Sequence, residues 1–170
     1  TTRHYTAAER IKQLLAERTS RIAQTNPTYE ELAEKFENLV EAYNNGSVNI
    51  DELIHRLRAL VGELDEYEQR LVTEDLTEEQ LAVFDLLTKP EPELTDEQQA
   101  QVKGLARELF AHIEEALVLD WRKNQEGRGR VKVALETHLD QLPDVYEPDL
   151  YNTKCGLVYE YIFSRGELVR

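Results

Sequence analysis

The stretch from Asn26 to Leu64, NPTYEELAEKFENLVEAYNNGSVNIDELIHRLRALVGEL, decides the fold class. Apolar residues recur at helical spacing on both sides of Asn45-Gly46, a pair that tolerates the left-handed backbone at helix ends. The first stripe is Tyr29, Leu32, Ala33, Phe36, Leu39, Val40 and Tyr43; the second is Ile50, Leu53, Ile54, Leu57, Leu60, Val61, Leu64, Tyr67 and Leu71. The short connection predicts two antiparallel, amphipathic helices packed through these stripes.

Helix-start signals of the capping-box type recur along the chain. They are Thr6 with Glu9, Thr28 with Glu31, Asn49 with Glu52, Thr77 with Gln80, and Thr95 with Gln98. The spacing predicts seven helices near 6–25, 28–44, 50–73, 77–88, 95–117, 124–141 and 147–164. No segment alternates apolar and polar residues with a period of two, so no strand is expected. The predicted fold is an all-α, bundle-like domain of about seven helices with no sheet.

The chain length and the positions of two prolines limit the possible domain organisations. The 170 residues, 41% of them hydrophobic, suffice for a single helical domain over 1–170. Two prolines in Lys89-Pro90-Glu91-Pro92-Glu93 cannot sit in a helix interior. An alternative therefore has two helical halves, 1–88 and 95–170, joined by this acidic, proline-containing linker.

Charge and composition narrow the class of protein. With 34 acidic and 20 basic residues the net charge is −14, which disfavours a general nucleic-acid-binding surface. No apolar run approaches the ~20 residues of a membrane span, no secretion signal is recognisable, and the single cysteine cannot form an internal disulfide. We expect a cytoplasmic protein that does not contact membranes. The absence of methionine suggests a piece of a longer polypeptide, or a processed start.

Side chains with catalytic or metal-binding chemistry are scattered. The histidines His4, His55, His112 and His138 have no ligand spacing, and Asp51 with His55 supplies only two candidate ligands. Cys155 with His138 is the one nucleophile–base pairing available, and the position of Cys155 within the last helix predicts a small buried apolar role. Carboxylates are too abundant to single out a pair. We therefore predict no catalytic residues and no metal site.

The stretch LVLDWRKNQEGRGRV, Leu117 to Val131, stands out in this acidic chain. The segment from Arg122 to Lys132 carries five positive charges against one negative, and the only tryptophan precedes it. The plainer interpretation is an apolar plug of Leu117, Val118, Leu119 and Trp121 in the core, with Asp120 as the cap of the next helix and a solvated basic run. The sharper one is a recognition surface, because Arg and Trp are over-represented at interface hot spots.

Two further expectations concern anions. A phosphate or nucleotide site could use Arg128, Arg130 and Lys132 with the loop Gly127-Arg128-Gly129, although no strand precedes it and no Gly-Lys-Ser/Thr follows. Duplex DNA should bind poorly, because acidic residues surround the basic run and Trp121 is expected to be the only ring near it, and buried.

Four blocks, in order, carry a family resemblance. The segment LVLDWRKNQEGRGRVKVALETHLDQLP resembles the last block of the R (motor) subunits of type I restriction enzymes, where an Asp-Trp pair precedes a basic helix. The stretch from Asn26 to Leu64 looks like the helical segment upstream, LTEEQLAVFDLL is similar to an acidic-then-Phe signature, and LYNTKCGLVYEYIF looks like the closing helix. Thr1 to Thr25 is less distinctive.

The resemblance implies a parent that cuts DNA and translocates it with ATP and Mg²⁺, through nuclease and motor domains upstream of this region. In such a parent the chain would be a non-catalytic, cofactor-free assembly domain of a prokaryotic, cytoplasmic enzyme. Its partners would be the methyltransferase (M) and specificity (S) subunits, with DNA held by other domains. Alternatives from other classes are a regulatory nucleotide- or phosphate-binding module and a generic helical adapter. The candidate partner-binding residues are Trp121, Arg122, Lys123, Arg128, Arg130 and Lys132.

Overall fold

A computed structural model describes the backbone of residues 2–165 and the side chains of residues 6–165. Seven α-helices and three single 3₁₀ turns, with no strand, make up the regular structure of this part, so the all-α prediction is confirmed. The helices are α1 (Thr2–Thr25), α2 (Glu30–Asn44), α3 (Ile50–Glu74), α4 (Glu78–Thr88), α5 (Asp96–Ile113), α6 (Gln125–Leu139) and α7 (Pro148–Arg165). Among these helices none has the length and apolar content to cross a membrane.

Side-chain caps define several of the helix ends. The predicted capping box at Thr95 is complete: its hydroxyl accepts from the backbone N–H of Gln98 at 3.1 Å, and the Gln98 side chain accepts from the backbone N–H of Thr95 at 3.0 Å. The Asn49 side chain caps α3 by accepting from the N–H of Glu52 at 2.9 Å. After α2, Gly46 has a φ of +84°, the left-handed conformation that the Asn-Gly pair predicted.

Two predicted helix starts are wrong. Helix α1 already begins at Thr2, so Thr6 lies inside it and does not start it. Before α2, Asn26 caps a 3₁₀ turn (Pro27–Tyr29) through a bond from the Thr28 N–H, and α2 itself begins at Glu30. Proline at the first position of that turn suits a short 3₁₀ segment, which displaced the α-helical start by two residues.

The chain divides into two compact units, with the boundary between Glu78 and Glu79. In the N-terminal unit, α1, α2 and α3 pack against one another around a leucine-rich core. Tyr67 of α3 is fully buried and meets the ring of Tyr29 edge-on, with centroids 4.7 Å apart. Residues 89–93 lie within the C-terminal unit. The choice between one domain and two helical halves stays a prediction.

Helix α4 is the most enclosed element of the C-terminal unit. Every residue from Leu81 to Leu87 is buried, as expected for a helix that is apolar on nearly all sides. Side chains from two later segments hold its C-terminal end: the Tyr146 hydroxyl donates to the carbonyl of Leu87 at 2.9 Å, and the Lys154 ammonium donates to the carbonyls of Leu86 and Lys89 at 3.1 and 2.9 Å. Helix α6 packs against both α5 and α7, which places the basic stretch beside α7.

Candidate functional site

Trp121 anchors the connection between α5 and α6. It begins a 3₁₀ turn (Trp121–Lys123), is only 5% exposed, and meets two rings of α7 edge-on. The centroid distances are 6.3 Å to Tyr159 and 5.8 Å to Phe163. Edge-to-face pairs at such distances are favourable beyond the area that they bury. The predicted burial of Trp121 is therefore confirmed.

The predicted apolar plug is only half right. Leu117 and Trp121 are buried, but Val118 and Leu119 between them are 45% and 64% exposed. The Trp121 N–H donates to the carbonyl of Val118 and closes a tight turn, and the side chains of Val118 and Leu119 lie on the outer side of this turn. Two large apolar side chains thus lie on the surface directly before the basic residues.

Helix α6 begins at Gln125, close to its predicted start, but its cap differs from the prediction. Asp120 adopts a left-handed backbone with a φ of +63° and its side chain caps nothing; it forms an ion pair with Lys123 at 3.1 Å. The cap of α6 is Asn124, whose side-chain oxygen accepts from the N–H of Gly127 at 2.6 Å. Asx side chains fill either role, so the sequence alone did not decide between Asp120 and Asn124.

A close approach of two backbones explains the glycine in the first turn of α6. A Cβ atom added at Gly127 would lie 2.6 Å from the carbonyl oxygen of Trp121 and 2.9 Å from its Cα. A Cβ at Gly129 would meet nothing within 4 Å. Gly127 therefore lets α6 pack on the Trp121 turn, and the Gly-Arg-Gly sequence is a packing feature at its first glycine only.

Three of the five basic residues meet beside the rings of α7. Arg122 donates to the backbone carbonyl of Phe163 at 3.0 Å, and its Cζ lies 5.8 Å from the centroid of the Phe163 ring. Lys132 Nζ lies 5.5 Å from the ring centroid of Tyr159, and Arg128 donates to the carbonyl of Arg122 at 2.8 Å. We call this arrangement the cation–aromatic face; it consists of Arg122, Arg128, Lys132, Tyr159 and Phe163.

The other two basic residues are engaged elsewhere. Arg130 forms an ion pair with Glu126, one turn earlier on α6, at 2.7 Å. It is two residues from both Arg128 and Lys132, which turns it about 200° away from them around the helix axis. Lys123 is paired with Asp120. The structure thus brings Arg122, Arg128 and Lys132 together, beside the rings on which Trp121 packs. Arg130 and Lys123 do not belong to this group.

Tyr159 and Phe163 were missed at the sequence level. Both are half-buried, so the expectation that Trp121 is the only ring near the basic run is wrong. Burial raises the pKa of the Tyr159 hydroxyl, while the nearby Arg128 guanidinium lowers it and Glu160 raises it. Their spacing of four residues on one side of α7 was a signal, but nothing in one sequence tells which helix that side faces.

The cations of the face lack carboxylate partners. Within the part of the chain that the structure describes, Arg122, Arg128 and Lys132 form no ion pair. Elsewhere, Arg18 of α1 contacts both Asp65 and Glu68 at 3.2 and 3.0 Å. In a chain of net charge −14, the face is a local excess of positive charge held against aromatic rings.

Histidines without ligand spacing are expected to be surface or packing residues, and those whose side chains are described fit this expectation; His4 lies outside those residues. His138 is buried, its Nε2 lies 2.8 Å from the carbonyl oxygen of Leu105, and its ring stacks on exposed His112 with centroids 4.4 Å apart. Asp51 and His55 are exposed on α3. Over the described residues no group of three His, Cys, Asp or Glu side chains is placed to hold a metal ion.

Cys155 is a buried thiol, as predicted. Burial raises its pKa, and the hydrogen bond with Tyr151 acts in the opposite direction, while Glu136 and Asp140 raise it further. A thiol needs a lowered pKa to be a nucleophile at neutral pH. This environment favours a packing role.

Comparison with protein families yields a match over residues 1–164 to the family described as type I restriction enzyme HindI endonuclease subunit-like, C-terminal. The chain belongs to this family. The match includes the first helix, which the sequence blocks had left undistinctive, and it confirms the resemblance. The parent is accordingly an endonuclease subunit of a type I restriction enzyme, a class of enzymes that work as complexes with other subunits. No curated protein and no solved structure matches the chain significantly.

Proposed function

We propose that this chain is the assembly domain of the endonuclease subunit and that it docks the motor onto the core formed by the M and S subunits. In this role the chain contributes binding and no catalytic group, while ATP, Mg²⁺ and DNA are handled by other domains of the parent. The observation that carries the proposal is the cation–aromatic face, because it combines unpaired cations, half-exposed rings and a buried tryptophan anchor in a C-terminal family domain.

The face is suited to binding because the residues that support it, Trp121 and Arg128, are held in place. Trp121 is fixed by two rings, and Arg128 ties the turn to α6 through the carbonyl of Arg122. Side chains held in place lose less conformational entropy on association. Exposed Val118 and Leu119 adjoin this turn in sequence and add apolar area next to the charged groups. Arg, Tyr and Trp are the residue types that dominate interface energetics.

The competing phosphate or nucleotide module is less well supported. It required Arg128, Arg130 and Lys132 to converge on one anion, but Arg130 faces away and is neutralised by Glu126. The short Gly-Arg-Gly segment is the first turn of α6, and its Asn124 cap already occupies the N–H of Gly127. A calorimetric titration with nucleotides tests this alternative, and saturable binding that is lost in Arg128→Ala would favour it over docking.

The docking proposal is tested by competition. The M–S core is mixed with the intact endonuclease subunit, and this chain is added in increasing amounts while the complex is followed on a sizing column. We expect the chain to co-elute with the core at micromolar concentration and to displace the intact subunit. If the intact subunit binds normally but the chain neither co-elutes nor competes, the proposal is wrong.

A further inference from the structure

We infer that the partner surface covering the cation–aromatic face is an acidic protein segment, whose carboxylates contact Arg122 and Lys132 while apolar side chains pack on Tyr159 and Phe163. This inference rests on the proposed docking function and names the chemistry of its partner. It follows from the unused hydrogen-bonding capacity of the cations, from the way the rings hold them, and from the charge of their surroundings.

Arg122 and Lys132 have hydrogen-bond donors that the described residues do not use. Arg122 is exposed and uses one guanidinium nitrogen for the carbonyl of Phe163, at 3.0 Å. Lys132 is exposed and its ammonium lies over Tyr159 without any hydrogen bond or ion pair to the described residues. A guanidinium offers five N–H donors and an ammonium three, and both bind carboxylates more strongly than neutral acceptors. The vacant donors therefore favour an anionic partner group.

The rings and Arg128 orient these donors. Phe163 and Tyr159 lie 5.8 and 5.5 Å beneath the charges of Arg122 and Lys132, within the range of cation–π attraction. Arg128, which is half-buried, donates to the carbonyl of Arg122 and so supports the turn from below. We assign Arg122 and Lys132 as contact residues because both are exposed, and Arg128 as a positioning residue because it is half-buried and its hydrogen bond supports the turn.

The surroundings favour a protein carboxylate over a nucleic-acid phosphate. Glu160 lies close enough to Tyr159 of the face to raise its pKa, and the whole chain carries a net charge of −14. A nucleic acid extends as a continuous line of phosphates, one charge per ~1.7 Å of duplex axis, and would therefore also meet the acidic surface beyond the face. An acidic protein segment places only a few charges at the cations and leaves the rest of the contact to apolar groups. Tyr159 and Phe163 supply the apolar surface on which such a segment packs.

The test uses charge reversal with matched controls. Binding of the intact endonuclease subunit to the M–S core is measured at low and at raised salt for Arg122→Glu and Lys132→Glu. The controls are Arg130→Glu and Lys123→Glu, which reverse basic residues of the same stretch that lie in ion pairs outside the face. We expect each face variant to weaken binding at least roughly tenfold and to reduce its salt dependence, while each control stays within about threefold.

The outcomes separate the two proposals. If the unaltered subunit does not bind the core through this chain, both the docking function and the acidic partner are wrong. If it binds but Lys132→Glu has no larger effect than Arg130→Glu, docking stands and the acidic partner is wrong. Lys132 is exposed and unbonded, so this variant reports binding even where Arg122→Glu disturbs the turn. Single-stranded or duplex oligonucleotides that bind below micromolar concentration, with loss in Lys132→Glu, would overturn the inference in favour of a nucleic-acid surface.

Discussion

Gly127 illustrates how one missing side chain fixes the packing of a helix on a turn. We expect Gly127→Ala to lower the free energy of unfolding of the C-terminal unit by about 1–3 kcal/mol, because the new Cβ would lie 2.6 Å from a backbone oxygen that cannot rotate away. Gly129→Ala is the matched control, with open space around it and a gain in helix propensity of up to about 1 kcal/mol. Urea unfolding followed by Trp121 fluorescence measures both; equal stabilities of the two variants would contradict the close approach.

Tyr146 makes the stability of the same unit depend on alkaline pH. Burial raises the pKa of its hydroxyl to about 12, while the neutral phenol donates to the carbonyl of Leu87. Below about pH 10, the ordinary pKa of tyrosine, the phenol is protonated in both folded and unfolded chains and its stabilisation is fully present. Above that pH the unfolded chain releases the proton first, so the stabilisation falls as pH rises through the folded pKa.

The comparison of Tyr146→Phe with the unaltered chain isolates this contribution. Denaturant unfolding near neutral pH and at alkaline pH should show a smaller loss of stability in the variant, because phenylalanine has no proton to release. Burial also raises the pKa of Tyr151 and Tyr159, so a residual decline in the variant is expected. An identical decline in both chains would show that Tyr146 does not contribute.

Lys154 connects two helices through backbone carbonyls. Its buried ammonium, with a pKa lowered by burial and partly restored by Glu91, donates to the carbonyls of Leu86 and Lys89 at the end of α4. We expect Lys154→Met to destabilise the C-terminal unit by about 1–3 kcal/mol, since methionine retains the stem but leaves these carbonyls without the donor.

The matched control is Lys123→Met, which removes a largely exposed ion pair and should cost less than about 1 kcal/mol. Both variants are followed by urea unfolding. A Lys154→Met variant as stable as the unaltered chain would show that the cost of burying the ammonium equals the gain from its hydrogen bonds, a balance known for buried charges.

Helix positions were predictable because their signals are local. The stripes of α2 and α3, the Asn45-Gly46 stop and the Thr95 capping box depend on residues within one or two turns. The first turn of α2 and the cap of α6 were less predictable, because neighbouring Asx, Thr and Pro residues compete for the same role. The burial of Lys154 had no local signal at all, since its acceptors lie 65 and 68 residues away in the chain.

Only part of the candidate face was predictable from the sequence. The basic run and the tryptophan are visible in sequence, but the rings that complete the face are supplied by α7, with Phe163 lying 41 residues after Arg122. The outward position of Arg130 follows from the phase of α6, and that phase is set by the packing of Gly127 on the Trp121 turn; Lys123 belongs to that turn and pairs with Asp120. The family match then placed the chain in its class, a step that residue chemistry alone supports only as resemblance.

Charge over the whole chain leads to a last prediction, on DNA. Although its parent is an endonuclease subunit of a type I restriction enzyme, we expect this chain to bind duplex DNA no more tightly than the ~10⁻⁴–10⁻⁶ M of non-specific contacts. The three clustered cations could neutralise a few phosphates, but Arg130 and Lys123 are already neutralised by Glu126 and Asp120, and fourteen net negative charges remain. Screening over roughly 10 Å at 0.1 M salt suppresses the distant acids, so the local effect of Glu126 and Asp120 is to cancel the charges of Arg130 and Lys123, which would otherwise add to the three clustered cations.

Fluorescence anisotropy with a labelled duplex at physiological salt measures this affinity. The informative control is the double variant Glu126→Gln with Asp120→Asn, which frees Arg130 and Lys123 and should tighten binding several-fold if local acids limit it. Sub-micromolar binding by the unaltered chain, abolished in Arg128→Glu, would mean that the cation–aromatic face grips DNA. In that case the competition with the M–S core would be competition for DNA. Treating the sample with a nuclease distinguishes the two, because only docking between proteins survives the treatment.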